Sequence, residues 1–300
     1  MANETKKVRK TIAVHPVYYL AVGVMAILFF IFHTIPFLQG IFYSFTDWRG
    51  YGNWNFVGLR NYLYMFKDPD ILNSYLFTFK FAVITTVLVN VISLGLACAL
   101  NAKIKFKNAI KAFYFLPYML GTLIVGFIFN YIFGNLVPPV GQALGIEALS
   151  VNILGTENAY WGIIIVSVWI GCAFNTLIYI AGLQSIDEDV YEAATIDGAT
   201  RFQIFTRITI PLSKPIIVYT VLTSFIGPWT DFVFAKVICR AEMDQYTVAI
   251  GMWKMLEKEY LVNWYTPFCA AAVCISIPIS ILFLIMQRYY VEGMAGAVKG

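Results

Sequence analysis

The sequence predicts an all-α membrane protein of six transmembrane helices, with a helix-turn-helix segment on the cytoplasmic side between the fourth and fifth spans. Three observations predict it. Of the 300 residues, 60% are hydrophobic and only 13% are charged, too few charges to cover a globular surface of that size. The apolar residues gather into six stretches that sum to about 140 to 150 residues, each close to the roughly 20 that cross a hydrocarbon core as a helix. The lysines and arginines fall unevenly on the connections between those stretches, as they do when one side of a bilayer is cytoplasmic.

The spans read in order as Val17 to Phe42, Leu76 to Leu100, Ala112 to Phe133, Trp161 to Leu183, Ile216 to Ile238 and Pro267 to Met286. The first follows a basic segment and has no small-residue cleavage pattern after it, so it is expected to stay as a helix. Aromatic residues at span ends, such as Tyr18 and Tyr19, Tyr160 and Trp161, and Tyr289 and Tyr290, suit the headgroup level. An even number of spans puts both termini on one side. That side carries Lys6, Lys7, Arg9, Lys10, Lys103, Lys105, Lys107, Lys111, Arg201, Arg207, Lys214, Arg288 and Lys299. The other carries Arg49, Arg60, Lys67, Lys236, Arg240, Lys254 and Lys258. Both termini and the second and fourth connections are therefore expected in the cytoplasm. The organisation is then a cytoplasmic segment 1–16, a six-helix transmembrane domain 17–290 containing the segment 185–215, and a cytoplasmic tail 291–300.

Composition also excludes. Cys98, Cys172, Cys239, Cys269 and Cys274 lie singly, with no CxxC, and His15 and His33 have no ligand-type neighbour one turn away, so no metal centre or disulfide framework is expected. A formal charge of +4 on clustered residues does not suggest nucleic acid. No G-x-x-x-x-G-K-[ST] phosphate loop occurs, so ATP chemistry is not expected on this chain. A nucleophile with its base, which a membrane enzyme would need, is not visible in the spans.

The fourth connection, 185–215, reads SIDEDVYEAATIDGATRFQIFTRITIPLSKP. Ser185 with Glu188, and Thr200 with Gln203, have the S/T-x-x-E/Q form of a capping box, which satisfies orphan amides at a helix start. Gly198 can take positive φ and end the first helix; Pro211 and Pro215 are expected to stop the second. Ala193 and Ala194 beside Glu192 form a small-residue face, with Asp197 and Gly198 as the protruding tip.

These residues resemble the cytoplasmic signature of ATP-binding-cassette importer permeases: E-A-A, three residues, Gly, nine residues, I-x-L-P. Here it reads Glu192-Ala193-Ala194, Gly198, then Ile208 and Pro211, with Ile210 where Leu is usual. Ser44-Phe45 followed by Phe56-Val57-Gly58-Leu59, Asn61 and Tyr62 is similar to the carbohydrate permeases of the maltose and glycerol-phosphate group. Gln245 to Met252 and the tail Gly293 to Gly300 look more like the partner permease of the same heterodimeric systems. The resemblance implies that Glu192, Ala193, Ala194, Asp197, Gly198, Ile208 and Pro211 form a coupling segment docking on an ATPase. It implies a homologous second permease subunit, two ATPase subunits holding ATP and Mg, an extracytoplasmic sugar-binding protein, and a place in a prokaryotic plasma (inner) membrane.

A sugar site would need aromatic faces for pyranose rings, with hydroxyl and amide groups for their hydroxyls, on facing spans near the midplane. By resemblance to the sugar-lining stretches of the maltose-type permease, the candidates are Ser167, Trp169, Gly171, Phe174 and Asn175 on the fourth span. On the fifth they are Thr223, Ser224, Gly227, Trp229 and Asp231. Packing and interhelical hydrogen bonding are the other use of such residues. Asp231 likewise has two readings, a pathway carboxylate or an interfacial one capped or paired with Lys236. Gly227 and Pro228 replace larger polar groups of the maltose-type protein, so its contact set does not transfer. The surfaces around Trp48, Tyr51, Trp54 and Phe56, and around Trp253, Lys254, Lys258 and Tyr260, are where a soluble binding protein would dock. A secondary sugar transporter acting without an ATPase is the alternative, which would leave the helix-turn-helix connection unexplained.

Overall fold

The structure, a computed structural model, describes residues 15–101, 107–240, 246–257 and 261–297. The basic cluster Lys6 to Lys10, together with Lys103, Lys105, Gln245, Lys258, Tyr260 and residues 298–300, lies outside the described residues.

The described chain is helical, and its one β-bridge, Thr46 with Phe56, closes a loop. The helices are α1 (Pro16–Tyr43), α2 (Arg60–Lys67), α3 (Pro69–Asn101), α4 (Lys107–Met119), α5 (Thr122–Leu144), α6 (Ala159–Gln184), α7 (Glu188–Ile196), α8 (Arg201–Leu212), α9 (Lys214–Thr230), α10 (Val248–Glu257) and α11 (Leu261–Ala297). Five stretches, α1, α3, α5, α6 and Tyr265–Tyr289 of α11, are long and apolar enough to cross a bilayer.

Two expected spans differ in extent. The third does not run from Ala112 to Phe133: the helix breaks at Leu120 and Gly121, and the apolar crossing is α5. Pro117 and Gly121 explain the break, since Gly121 takes an extended conformation (ψ 140°) and starts a new helix. The fifth does not run unbroken from Ile216 to Ile238. Its helix ends at Thr230, because Asp231 is extended (ψ 108°) and its carboxylate takes the Phe234 amide, 3.1 Å away. With α8, from which it bends by 72°, α9 makes the sixth apolar stretch at most. The second span starts earlier than hydropathy indicates, where Asp68 accepts the Asp70 amide at 3.0 Å and Pro69 fills the first helical position.

A bilayer offers no hydrophobic reward for pressing two apolar helices together, so close packing must come from shape. α6 supplies it at the centre of the fold. Its face carries the fully buried Ala159, Ile163 and Val166, clustered with Phe81 of α3 and the short helix Ala235–Cys239 beyond α9. Near its end a methyl on Gly182 would overlap Ile216 Cδ1 of α9, so glycine is what lets the two helices meet there. Outside the bundle, Asn61 of α2 is buried and donates to the carbonyls of Ser44 (2.8 Å) and Thr46 (2.7 Å), holding the end of α1 where no further helical amide is available. Tyr62 bonds the Ser44 hydroxyl at 2.6 Å. This gives a structural reason for the Asn-Tyr pair that follows the F-V-G-L string.

The backbone stays helical through Ala297, so in secondary structure the segment beginning at 291 continues α11.

Candidate functional site

One cavity of about 390 Å³ opens among α3, α4, α5, α6 and α9. Eight of the ten residues singled out on the fourth and fifth spans line it: Ser167, Gly171, Phe174, Asn175, Thr223, Ser224, Gly227 and Asp231. Pro228 lines it as well. The two tryptophans do not. Trp169 lies on the outer side of α6, 39% exposed, edge-on to Phe129 at 5.3 Å. Trp229 is 2% exposed and packs on Tyr75 and Phe225, so it is a core residue.

An aromatic face does line the cavity, supplied by a different pair. Tyr118 of α4 stacks on Phe174 of α6, with centroids 5.0 Å apart and planes 21° from parallel. Phe81, Thr85, Val89, Tyr118 and Thr122 line it from helices the sequence reading did not use, and Ile170, Thr230, Phe232, Val233 and Phe234 complete the lining. Thr85 had a usable signal, a hydroxyl within an apolar span; Tyr118 had only the flanking Pro117 and Gly121, which mark the break that brings α4 to the cavity.

Two lining side chains present buried oxygens without a hydrogen-bond partner among the described residues, Thr85 Oγ1 and Asp231 Oδ2. The other Asp231 oxygen caps the turn after α9 through Phe234, and its backbone carbonyl accepts from Thr247 at 2.6 Å. Asp231 is thus both a cap and a lining carboxylate. The Lys236 ammonium is engaged elsewhere, 3.5 Å from the Trp253 ring centroid. Among the described residues, no lysine or arginine lines the cavity.

The connection after α6 folds as two helical pieces about a glycine turn. Gly198 has φ +78°, and Thr200 with Gln203 makes both bonds of a capping box. Two expectations change. Ser185 forms no capping box, because its hydroxyl bonds the Gly182 carbonyl at 2.7 Å while Asp187 caps α7 through the Asp189 amide at 3.1 Å. Pro211 does not stop α8 but lies in its last turn, and the chain bends at Ser213 instead. Glu192, Ala193, Asp197 and Gly198 are exposed, Ala194 and Ile208 half-buried, and Pro211 exposed. Two large apolar side chains flank the tip in the open, Ile196 at 85% and Phe202 at 74% exposure.

Fold and cavity together define the class: a multi-span membrane protein with a largely apolar, aromatic-faced cavity carrying a few hydroxyl, amide and carboxyl groups between its helices, and a structured connection outside them. Residues 91–296 match the family described as binding-protein-dependent transport system inner membrane component, and the chain belongs to that family. Among its relatives is the "Probable starch degradation products transport system permease protein AmyD" of Thermoanaerobacterium thermosulfurigenes, 38% identical over 66% of this chain and 68% of that one. Another is the multiple sugar-binding transport system permease protein MsmF of Streptococcus mutans serotype c, 39% identical over 64% of this chain and 66% of that one. The matches thus span about two thirds of those relatives' lengths. A chain in the crystal structure of a bacterial alginate ABC transporter, in complex with alginate pentasaccharide-bound periplasmic protein, shares the fold with a TM-score of 0.74. It is 19% identical, over 91% of this chain and 93% of that one.

Proposed function

We propose that this chain is a transmembrane subunit of an ATP-binding-cassette importer that moves a neutral carbohydrate, delivered by an extracytoplasmic binding protein. The observation that carries the substrate class is the cavity lining. The stacked Tyr118 and Phe174 offer a face for a sugar ring; Ser167, Asn175, Thr223 and Ser224 offer hydroxyl and amide partners; Asp231 offers a carboxylate acceptor for sugar hydroxyls. An acidic sugar or a phosphate ester would call for a cationic partner, and among the described residues the lining offers the Asp231 carboxyl and no lysine or arginine. The names of the relatives, which concern starch products and multiple sugars, agree with this reading.

The energy comes from elsewhere. Of the two ATPase subunits, which hold ATP and Mg, one docks on the segment from Glu192 to Pro211, with Gly198 at the tip and Ile196 and Phe202 as apolar anchors. Exposed side chains of that size on a polar connection suit a protein groove. A homologous second permease completes the pathway. The chain crosses the membrane six times, α9 being the fifth crossing, with both termini in the cytoplasm.

The test is to isolate the tagged protein from its native membrane in mild detergent and identify the accompanying chains with their stoichiometry. A second permease and two copies of an ATPase, with hydrolysis stimulated by a binding protein loaded with neutral oligosaccharide, are the expected result. A chain that purifies alone and moves sugar in liposomes without ATP would instead be a secondary transporter.

A further inference from the structure

Between the cavity and the coupling segment lies a buried polar chain that neither the substrate contacts nor the ATPase contacts use. Thr220 of α9 donates to the Tyr179 hydroxyl of α6 at 2.6 Å, Tyr179 donates to Asn90 Oδ1 of α3 at 2.7 Å, and Asn90 Nδ2 donates to the Thr86 carbonyl at 2.7 Å. The Thr220 hydroxyl also lies 3.0 Å from the Ile216 and Ile217 carbonyls of its own helix, and the Tyr179 oxygen is the nearest of its acceptors. Tyr179 is 1% exposed and Thr220 0%, and the ring of Tyr179 is packed among Ala97, Leu100, Ile180 and Leu183.

The position of this node matters. One helical turn from it, towards the cavity, Asn175 of α6 donates to Ser224 of α9 at 2.7 Å. One turn the other way Gly182 admits Ile216. Three contacts at one-turn intervals therefore fasten α6 to α9 over the stretch between the cavity and the bend at Ser213. These two helices are the ones that enter and leave the coupling segment. Apolar side chains alone would let α6 and α9 slide, since lipid competes equally for both faces; a directed hydrogen bond fixes their register.

We infer that Tyr179 is a positioning residue of the transport cycle. By tying α3, α6 and α9 at one point, it makes a displacement of the coupling segment reach the cavity wall at Asn175 and Ser224 as one rigid motion. This inference rests on the importer reading above. It adds the joint through which that importer is driven, which is a claim about a residue touching neither substrate nor ATPase. The physical warrant is a buried hydrogen-bonded node, with further contacts between the same two helices one turn to either side, lying between two sites that must move together.

The test uses the whole assembled transporter in liposomes, with its binding protein and sugar, and reads ATP hydrolysed per sugar imported. Tyr179→Phe keeps the ring and removes the hydroxyl; Thr220→Val keeps the shape and removes the donor. At matched assembly, each is expected to raise the ratio about threefold or more, and the double variant is expected to be no worse than the single ones. A purely structural role would lower assembly or thermal stability and leave the ratio alone. An unchanged ratio in either assembled variant, or additive effects in the double one, overturns the inference. Should Tyr179→Phe fail to assemble, Thr220→Val decides by the same ratio. A wild-type assembly without sugar-stimulated hydrolysis would overturn the importer reading and this inference with it, whereas a normal wild type with unaffected variants overturns this inference alone.

Discussion

The side-chain amide of Asn175 meets the hydroxyl of Ser224 across 2.7 Å, and both residues line the cavity. The bond joins the helix that leads into the connecting segment to the one that leaves it. Interhelical hydrogen bonds of this kind average only about 0.6 kcal/mol in a bilayer, because unpaired groups find other partners there. The pair therefore acts through direction rather than strength, aiming two polar groups and fixing the register of the two helices.

Asp231 lines the cavity; one of its oxygens caps the following turn and the other is buried without a hydrogen-bond partner among the described residues. Asp231→Asn keeps a capping oxygen and removes the charge. A hydrogen bond to a charged acceptor is worth about 1.5–3 kcal/mol, so half-saturation for sugar uptake should rise by roughly tenfold to a hundredfold with assembly preserved. Uptake by proteoliposomes at several sugar concentrations checks this, and an unchanged half-saturation would remove Asp231 from the site.

Gly198 sits at φ +78° with open space where a side chain would go. The cost of Gly198→Val is therefore conformational, about 1–2 kcal/mol for leaving or straining the left-handed turn. Because the turn shapes the exposed tip, co-purification of the ATPase should fall severalfold while the membrane domain keeps its thermal stability. Retained ATPase binding and transport would show that the tip geometry is not read by a partner.

Asn61 is buried between two carbonyls at the end of α1. Asn61→Leu leaves both unpaired, at a cost of about 1–3 kcal/mol for buried polar groups. Thermal unfolding in detergent should move down by several degrees, and proteolysis between Tyr43 and Arg60 should increase.

Asp47 accepts from the Asn55 amide at 2.6 Å and from its side chain at 3.2 Å, and these bonds hold its carboxyl below the usual carboxylate range. A group whose folded pKa is depressed contributes order that is complete above its unfolded value, near 3.9, and lost as pH falls through the folded one. The loop carrying Trp48, whose ring stacks on Tyr43 at 4.0 Å, should therefore stay closed at neutral pH and open in acid below about pH 4. Tryptophan fluorescence against pH should show this transition, and Asp47→Asn should abolish it.

Features decided within a few residues are legible in the sequence. Gly198 and the Thr200–Gln203 capping box are of this kind, since their bonds close over three or four positions. Competition between neighbours defeats the same reasoning at Ser185, where the Gly182 carbonyl takes the hydroxyl and Asp187 is the better acceptor for the next helix. Hydropathy finds most spans but cannot see that Gly121 and Asp231 interrupt two of them, because both sit inside apolar surroundings.

The sequence by itself determined that the chain is helical and apolar enough to lie in a membrane, where its glycine turn falls, and which family it belongs to. Only the tertiary structure decided which polar residues share a cavity. It turned Trp169 outward and Trp229 into the core, and brought Tyr118 from a separate helix onto Phe174. The reason is the solvent. In water an apolar stripe marks the buried face of a helix, but a span is apolar towards lipid and towards its neighbours alike, so periodicity does not say which side faces in. Side-chain shape, close approach at small residues and a few directed hydrogen bonds make that choice, and they act between residues far apart in the chain.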